Sequence, residues 1–233
     1  MEPLGQTCKE LHYKFLKIVR NKQSSFRIKF NGKVIYIDPI QISEENHDAD
    51  FVFITHEHSD HFDQKSIVKI INPQTIIICN QIVAKIILDE SIQDPHYLQI
   101  LNPGQTKILN EHISIETKPA YNLNKFKYAG ILYHPKENNW LGFIITISLN
   151  EDKVKIYHMG DTDFIAKDQK IEGVDLLMIP VGGTYVMTWQ EAVTANNEIK
   201  PLVSVPMHFD LGAGSIEDAS NFVNEIENQG EII

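Results

Sequence analysis

Residues 55–63 read Thr-His-Glu-His-Ser-Asp-His-Phe-Asp, directly after the apolar run Phe51-Val52-Phe53-Ile54. His56, His58, Asp60 and His61 therefore leave the end of one predicted strand within six positions. Imidazole and carboxylate groups suit zinc and similar divalent ions, and one short loop cannot aim all four at a single tetrahedral ion. Two adjacent ions are the simpler geometry. His56 and His58 project together from an extended segment, while Asp60 and His61, past the bend, can turn to a second ion. A solvated strand end would account for a lone histidine but not for this density of ligand-capable groups.

The spacing His-x-His-x-Asp-His resembles the mark of the metallo-β-lactamase superfamily, and two later segments strengthen the resemblance. Tyr157-His158-Met159-Gly160-Asp161-Thr162 follows Lys153-Val154-Lys155-Ile156 and looks like the family's Gly-Asp-Thr turn, whose Asp bridges both metals. Val203-Ser204-Val205-Pro206-Met207-His208 looks like its late strand ending in a metal histidine. By that resemblance Asp161 takes the bridging role and His208 joins the second ion. The resemblance implies an α/β fold, a four-layer αβ/βα sandwich of two mixed β-sheets with outer helices, and a divalent cofactor. Zn(2+) is the first expectation, up to two ions, with Mn(2+) or Fe as possible substitutes.

One element departs from the pattern. Similar branches, the N-acyl-phosphatidylethanolamine phospholipase D and ascorbate-phosphate lactonase relatives, supply a further histidine before the bridging Asp, where this chain reads Lys118-Pro119-Ala120-Tyr121-Asn122. The amide oxygen of Asn122 is a poor zinc ligand beside imidazole. His134, in Tyr133-His134-Pro135-Lys136, is a candidate replacement and is equally readable as a solvated loop histidine or a substrate contact. Water could also fill the place, so the third ligand of the first site stays open between His134, Asn122 and water. On this reading Asn122→Ala would act mainly on substrate handling. Tyr185, in Pro180-Val181-Gly182-Gly183-Thr184-Tyr185, is the candidate proton donor to a leaving group, because a Gly-rich loop permits close substrate approach. Tyr121 has similar standing, and each tyrosine is also readable as a packing aromatic.

Composition narrows the partners. Against 21 Lys and Arg stand 31 Asp and Glu, a formal charge of -10, so the surface on average repels phosphate backbones and nucleic acid is not expected. Bound divalent ions would reverse the sign locally, so a small anionic substrate can still enter, and Lys125, Lys127 and Lys136 could attract one. Cys8 and Cys79 are too few and too far apart for a disulfide framework, and neither falls at a ligand position. Neither a signal-peptide pattern nor an apolar stretch of membrane-spanning length is read, so a cytoplasmic location is expected, without membrane insertion. Residues 1–233 read as a single metallo-β-lactamase-like domain, with no linker or low-complexity stretch and no basis for an oligomeric state.

The elements that must carry these residues can be placed. Tyr13–Val19, Phe26–Phe30 and Val34–Ile37 are short and β-rich, with Asn31-Gly32 as a hairpin turn, and Asp38 before Pro39 is either a strand-ending turn residue or a support for the site. Lys65–Ile71 and Gln81–Leu88 carry helical spacing around a strand at Thr75–Cys79. Strands are predicted at Tyr97–Leu101, Thr106–Leu109 and Ile113–Lys118, with a second sheet starting at the first of these. A hairpin at Leu141–Leu149 and Lys153–His158 follows, then strand Val174–Ile179, helix Trp189–Ile199, strand Leu202–Pro206 and helix Ser215–Asn228 with Ser215 as N-cap.

Function follows from the metals the motifs imply. Two ions sharing a solvent molecule make a metal-bound hydroxide that attacks a small ester, lactone or phosphoester, with Asp60 orienting the water or taking its proton. The other readings are a di-iron redox protein, against which His58 argues because that branch carries Glu there, and a metal-binding protein with little catalysis, motivated by Asn122.

Overall fold

The computed structural model describes residues 10–233, so Cys8 lies outside the described residues. The chain opens with an antiparallel meander of β1 (Glu10–Tyr13), β2 (Leu16–Lys22), β3 (Ser25–Phe30) and β4 (Lys33–Ile37). Then β5 (Phe51–Phe53), β6 (Ile76–Cys79) and β7 (Leu98–Ile100) add in parallel, crossing over through α1 (Gln64–Ile70) and α2 (Gln81–Asp89). These seven strands form one mixed sheet in sequence order.

A second sheet starts at β8 (Thr106–Ile108) and β9 (Ile113–Pro119), after which β10 (Phe126–Tyr128) and β11 (Ile131–Leu132) make a separate hairpin. β12 (Leu141–Leu149) and β13 (Asp152–His158) return to the sheet, followed by α3 (Ala166–Gln169), β14 (Leu176–Pro180) and α4 (Trp189–Ile199). The chain closes with β15 (Val203–Met207), α5 (Ile216–Glu225) and β16 (Gln229–Gly230). The order across this sheet is β16-β15-β14-β13-β12-β9-β8, with the β13 to β16 half parallel and the rest antiparallel.

The layers follow from strand periodicity. On β4, Ile35 and Ile37 face a core shared with Phe143, Ile145 and Val205 of the other sheet, while Val34 and Tyr36 face α1 and α2 through Ile67, Val83 and Ile87. The second sheet repeats this, turning Ile144, Tyr157 and Ile179 to Ala192, Ala195 and Phe222 of α4 and α5. The result is the α/β four-layer sandwich of two mixed sheets, with helices outside. Among the described residues no helix is long and apolar enough to cross a membrane.

Several expected boundaries move. The segment Tyr13–Val19 divides at a turn, with Tyr13 ending β1 and Leu16 opening β2. The strand near Tyr97–Leu101 pairs with β6, so the second sheet begins at β8 instead. The predicted final helix stops at Glu225, because Ile226 turns extended into the α4–α5 core and Gln229 pairs with Val203. The segment carrying Lys125 and Lys127, for which no element is predicted, contains the β10–β11 hairpin.

Candidate metal centre

Strand direction brings the candidate residues to one edge. β5, β9, β13, β14 and β15 all run toward it, delivering in turn His56 to His61, Asn122, Asp161, Tyr185 and His208, while the β2–β3 turn contributes Gln23. After β5 the chain folds back sharply, with the backbone N–H groups of His61 and Phe62 both donating to the His58 carbonyl. That bend separates the ligand-capable atoms into two sets. His56 and His58 meet His134; Asp60 and His61 meet Asp161 and His208; within each set the atoms all lie within 4.8 Å of one another.

Asp161 stands between the sets. Its Oδ2 is 3.2 Å from His134 Nε2, 3.0 Å from His208 Nε2 and 3.9 Å from His56 Nε2, and its Oδ1 is 3.1 Å from His61 Nε2. Asp60 Oδ2 lies 3.4 Å from His208 Nε2 and 3.8 Å from His61 Nε2. The Gly160 backbone makes the approach possible. Its φ is +69, and a Cβ there would stand 2.7 Å from the Leu141 carbonyl oxygen.

A supporting layer aims the rings. Asp38, fully buried, accepts from His61 Nδ1–H at 2.7 Å and from the backbone and hydroxyl of Thr55 at 2.8 and 2.7 Å. His61 is thereby held with Nε2 toward the cluster. Asn122 does the same for His134: its Oδ1 accepts from the His134 backbone N–H and from Nδ1–H, each at 2.9 Å, while its Nδ2 donates to the Tyr185 carbonyl at 3.0 Å. Asn122 is therefore a support for His134, which corrects the expectation that it would act mainly on substrate. His158 donates from Nε2 to the Ser24 carbonyl and accepts from Gly160 N–H, tying the Asp161 turn to the other sheet.

Electrostatics divide the histidines. Burial opposes any charge here, yet Asp161 and Asp38 raise His61 well above the ordinary histidine value. Burial likewise opposes protonated His208, but the Asp161 carboxylate lifts it to about 9. His56 is lowered by burial and by His61, and His58 is lowered to about 4 by burial and by His134. For Asp161 the burial penalty is outweighed by His208 and His61, which hold its carboxyl well below the usual range; for Asp60 it is outweighed by His208.

The donor set fits a metal. His56 Nε2, His61 Nε2, His208 Nε2 and Asp161 Oδ1 are buried without a hydrogen bond. Each orphaned polar atom costs about 1–3 kcal/mol, and here they converge instead of scattering. A divalent ion takes up such lone pairs directly.

Other expectations fare differently. Tyr185 lines the pocket over this cluster and packs edge-on against Tyr133 at 4.8 Å. Tyr121 is buried away from the pocket, where its backbone bonds Thr162 and Asp163, so the second phenol at the wall is Tyr133. The Gly-rich loop is approached by backbone and not left open for substrate: a Cβ on Gly182 would stand 2.1 Å from the His208 carbonyl oxygen and 1.9 Å from that of Ala213.

Sequence reasoning missed two contributors. Gln23, nearly fully buried, donates from Nε2 to Asp60 Oδ2 at 3.2 Å, and its carbonyl accepts from His208 N–H. Trp140 packs at 4.6 and 4.7 Å from the rings of His56 and His58 and donates its indole N–H to Glu57 at 2.8 Å. A polar residue in a tight turn and an aromatic before a strand carry no local signal for either role.

The beta-lactamase superfamily domain family matches residues 17–208. A UPF0173 protein of Pyrococcus abyssi is 30% identical over 206 residues, covering 87% of this chain and 88% of that one. This chain belongs to the metallo-β-lactamase superfamily. Within the superfamily it is similar to a UPF0173 metal-dependent hydrolase of Nanoarchaeum equitans, 30% identical over 220 residues, covering 92% of this chain and 94% of that one. The crystal structure of a protein from Parabacteroides distasonis assigned as a metal-dependent hydrolase superposes with a TM-score of 0.76 at 25% identity, covering 96% of both chains. The metallo-β-lactamase fold thus extends over nearly the whole chain, and the ligand-capable cluster occupies the edge where its strands converge.

Proposed function

We propose that this chain is a metal-dependent hydrolase holding up to two divalent ions, zinc first among them, and acting on a small ester, lactone or phosphoester. The observation that carries the reading is the Asp161 carboxylate reaching from one three-histidine set to a second set of Asp60, His61 and His208. His56, His58 and His134 would hold the first ion, Asp60, His61 and His208 the second, with Asp161 serving both. Imidazole with carboxylate is a donor set that suits zinc. When bound, such ions lower the pKa of coordinated water and polarise the substrate oxygen.

The chain's own groups supply the rest. Asp38 and Asn122 fix the tautomers of His61 and His134, so each presents Nε2. Asp60, kept ionised beside His208 and steadied by Gln23 Nε2, orients water as a hydrogen-bond acceptor. Tyr185, on the pocket wall, is the candidate donor to the leaving group. The acidic chain and a pocket of about 480 Å³ support a small-molecule partner over nucleic acid. Cys79, a buried free thiol, is in keeping with a reducing, cytoplasmic setting.

Metal analysis with a hydrolysis panel tests the reading. Two zinc-like ions per chain, with turnover lost on chelation and restored by metal, are expected. Full turnover in demonstrably metal-free protein, or bound metal with no turnover of any ester, lactone or phosphoester, would reject it. Coloured, oxygen-reactive iron would support the redox alternative.

A further inference from the structure

The pocket over the candidate metal centre has a volume of about 480 Å³, enough for a small substrate. Its wall has an unusual charge content for a site that would receive an anion. Among the described residues, no lysine or arginine lines it. Three carboxylates do: Asp60, Asp63 and Asp161. Apart from the candidate ligands His58, His134 and His208, the remaining polar lining is uncharged: Gln23, Gln41, Ser59, Tyr133 and Tyr185.

The cations that sequence places nearby are engaged elsewhere, Lys127 over the Tyr128 ring at 5.6 Å. Lys125 is paired with Glu191 at 2.7 Å. Lys136 sits 5.4 Å over the ring of Tyr121, and neither residue lines the pocket. Arg20, beside the Gln23 turn, is paired with Asp210 at 3.1 Å and stacked 4.2 Å from Phe209. Two divalent ions at the floor would bring four positive charges against the three carboxylates, two of them ligands, so the positive field is concentrated at the reacting bond and no side-chain cation on the wall extends it to a charged group lying beyond. Recognition of phosphate or carboxylate ordinarily uses an Arg or Lys in bonding range. A phenol, a hydroxyl and an amide instead match hydroxyl and amide groups on an uncharged molecule.

We propose that the pocket selects a small uncharged substrate, hydroxylated or amide-bearing beside its scissile acyl bond, and discriminates against substrates carrying an anionic group away from that bond. This rests on the hydrolase reading for the reaction but not for the binding preference.

The experiment uses the zinc-loaded full chain and two pairs of probes. 4-Nitrophenyl adipamate and mono-4-nitrophenyl adipate share a leaving group and chain length and differ only in a distal amide against a distal carboxylate too remote to attack its own ester; their 4-nitroanilide analogues are the slowly cleaved counterparts, with binding measured by equilibrium dialysis. The neutral member of each pair is expected to be favoured about tenfold, in kcat/KM for the esters and in Kd for the anilides, as for one unpaired charge at a partly desolvated wall. Gln41→Lys, at an exposed rim position, should bring both ratios toward unity by improving the anionic member. Equal or tighter binding of the anionic anilide by the natural chain would overturn the proposal, as would a Gln41→Lys variant with unchanged ratios. If neither ester is cleaved while the neutral anilide keeps its advantage, the hydrolase reading fails and the pocket's preference stands.

Discussion

The side-chain oxygen of Asn122 accepts both N–H groups that His134 offers, the backbone and Nδ1, at 2.9 Å each. Asn122 thereby supports the ring from behind, while His134 brings its Nε2 to the first ligand set from across the β10–β11 hairpin.

Asn122→Ala should weaken the first metal site about 10-fold, since the ring keeps the Tyr185 carbonyl at 3.1 Å from Nδ1 but loses the acceptor that also holds the His134 backbone. Isothermal titration of the metal-free protein with zinc, resolved into two sites, measures this. His134→Ala should lower occupancy of the same site alone. An Asn122→Ala variant with both sites intact would return Asn122 to a role in substrate handling.

Asp161→Ala should lower occupancy of both sites and turnover in parallel, because a single carboxylate faces both sets. Metal content by atomic emission, alongside ester hydrolysis, reads the two effects together. Loss of one ion with the other retained at full affinity would mean that Asp161 serves only one site.

Metal uptake should be pH-dependent with a definite sign. In the metal-free protein His208 is raised to about 9 and His61 is raised well above 6.5, so both carry protons near neutrality. Such groups stabilise the metal-free fold fully below the unfolded histidine value and lose that contribution as pH rises through the folded one. Zinc requires the neutral rings, so its apparent affinity should climb between about pH 6.5 and 9, with protons released on binding. The melting-temperature gap between loaded and metal-free protein should widen over the same interval. A gap that narrows would contradict the assignment of these two histidines.

Asp38→Ala removes the acceptor for Thr55 N–H, Thr55 hydroxyl and His61 Nδ1–H in a fully buried position. Leaving a buried charged partner unpaired costs about 3–5 kcal/mol, and Asp38→Asn should recover part of it by keeping one acceptor oxygen. Urea unfolding of metal-free protein compares the three chains. A cost under about 0.5 kcal/mol for Asp38→Ala would show that the buried pair contributes nothing.

What the amino-acid sequence determined by itself is the chemistry of the segments. His56, His58, Asp60 and His61 announce metal binding because four ligand-capable groups crowd one strand end, and the bend that divides them is implied by their number. The layered fold is equally legible, since strand runs such as Val34–Ile37 are apolar on both faces and can only lie between two packed layers. What the tertiary structure decided is which strand ends meet. His134, Gln23 and Trp140 sit on turns and loops, where no periodicity fixes a direction, and their roles exist only once β2, β5, β9 and β12 are aligned at one edge. The left-handed backbone of Gln23, Asp38 and His208, at φ of 53, 44 and 57, is likewise invisible to local preference. Such conformations are strained for residues other than glycine and persist where surrounding bonds over-determine them. Here those bonds come from segments distant in the chain, including the Asp210 carboxylate on Gln23 N–H and the Gln23 carbonyl on His208 N–H, so the strain and the site are products of the same long-range packing.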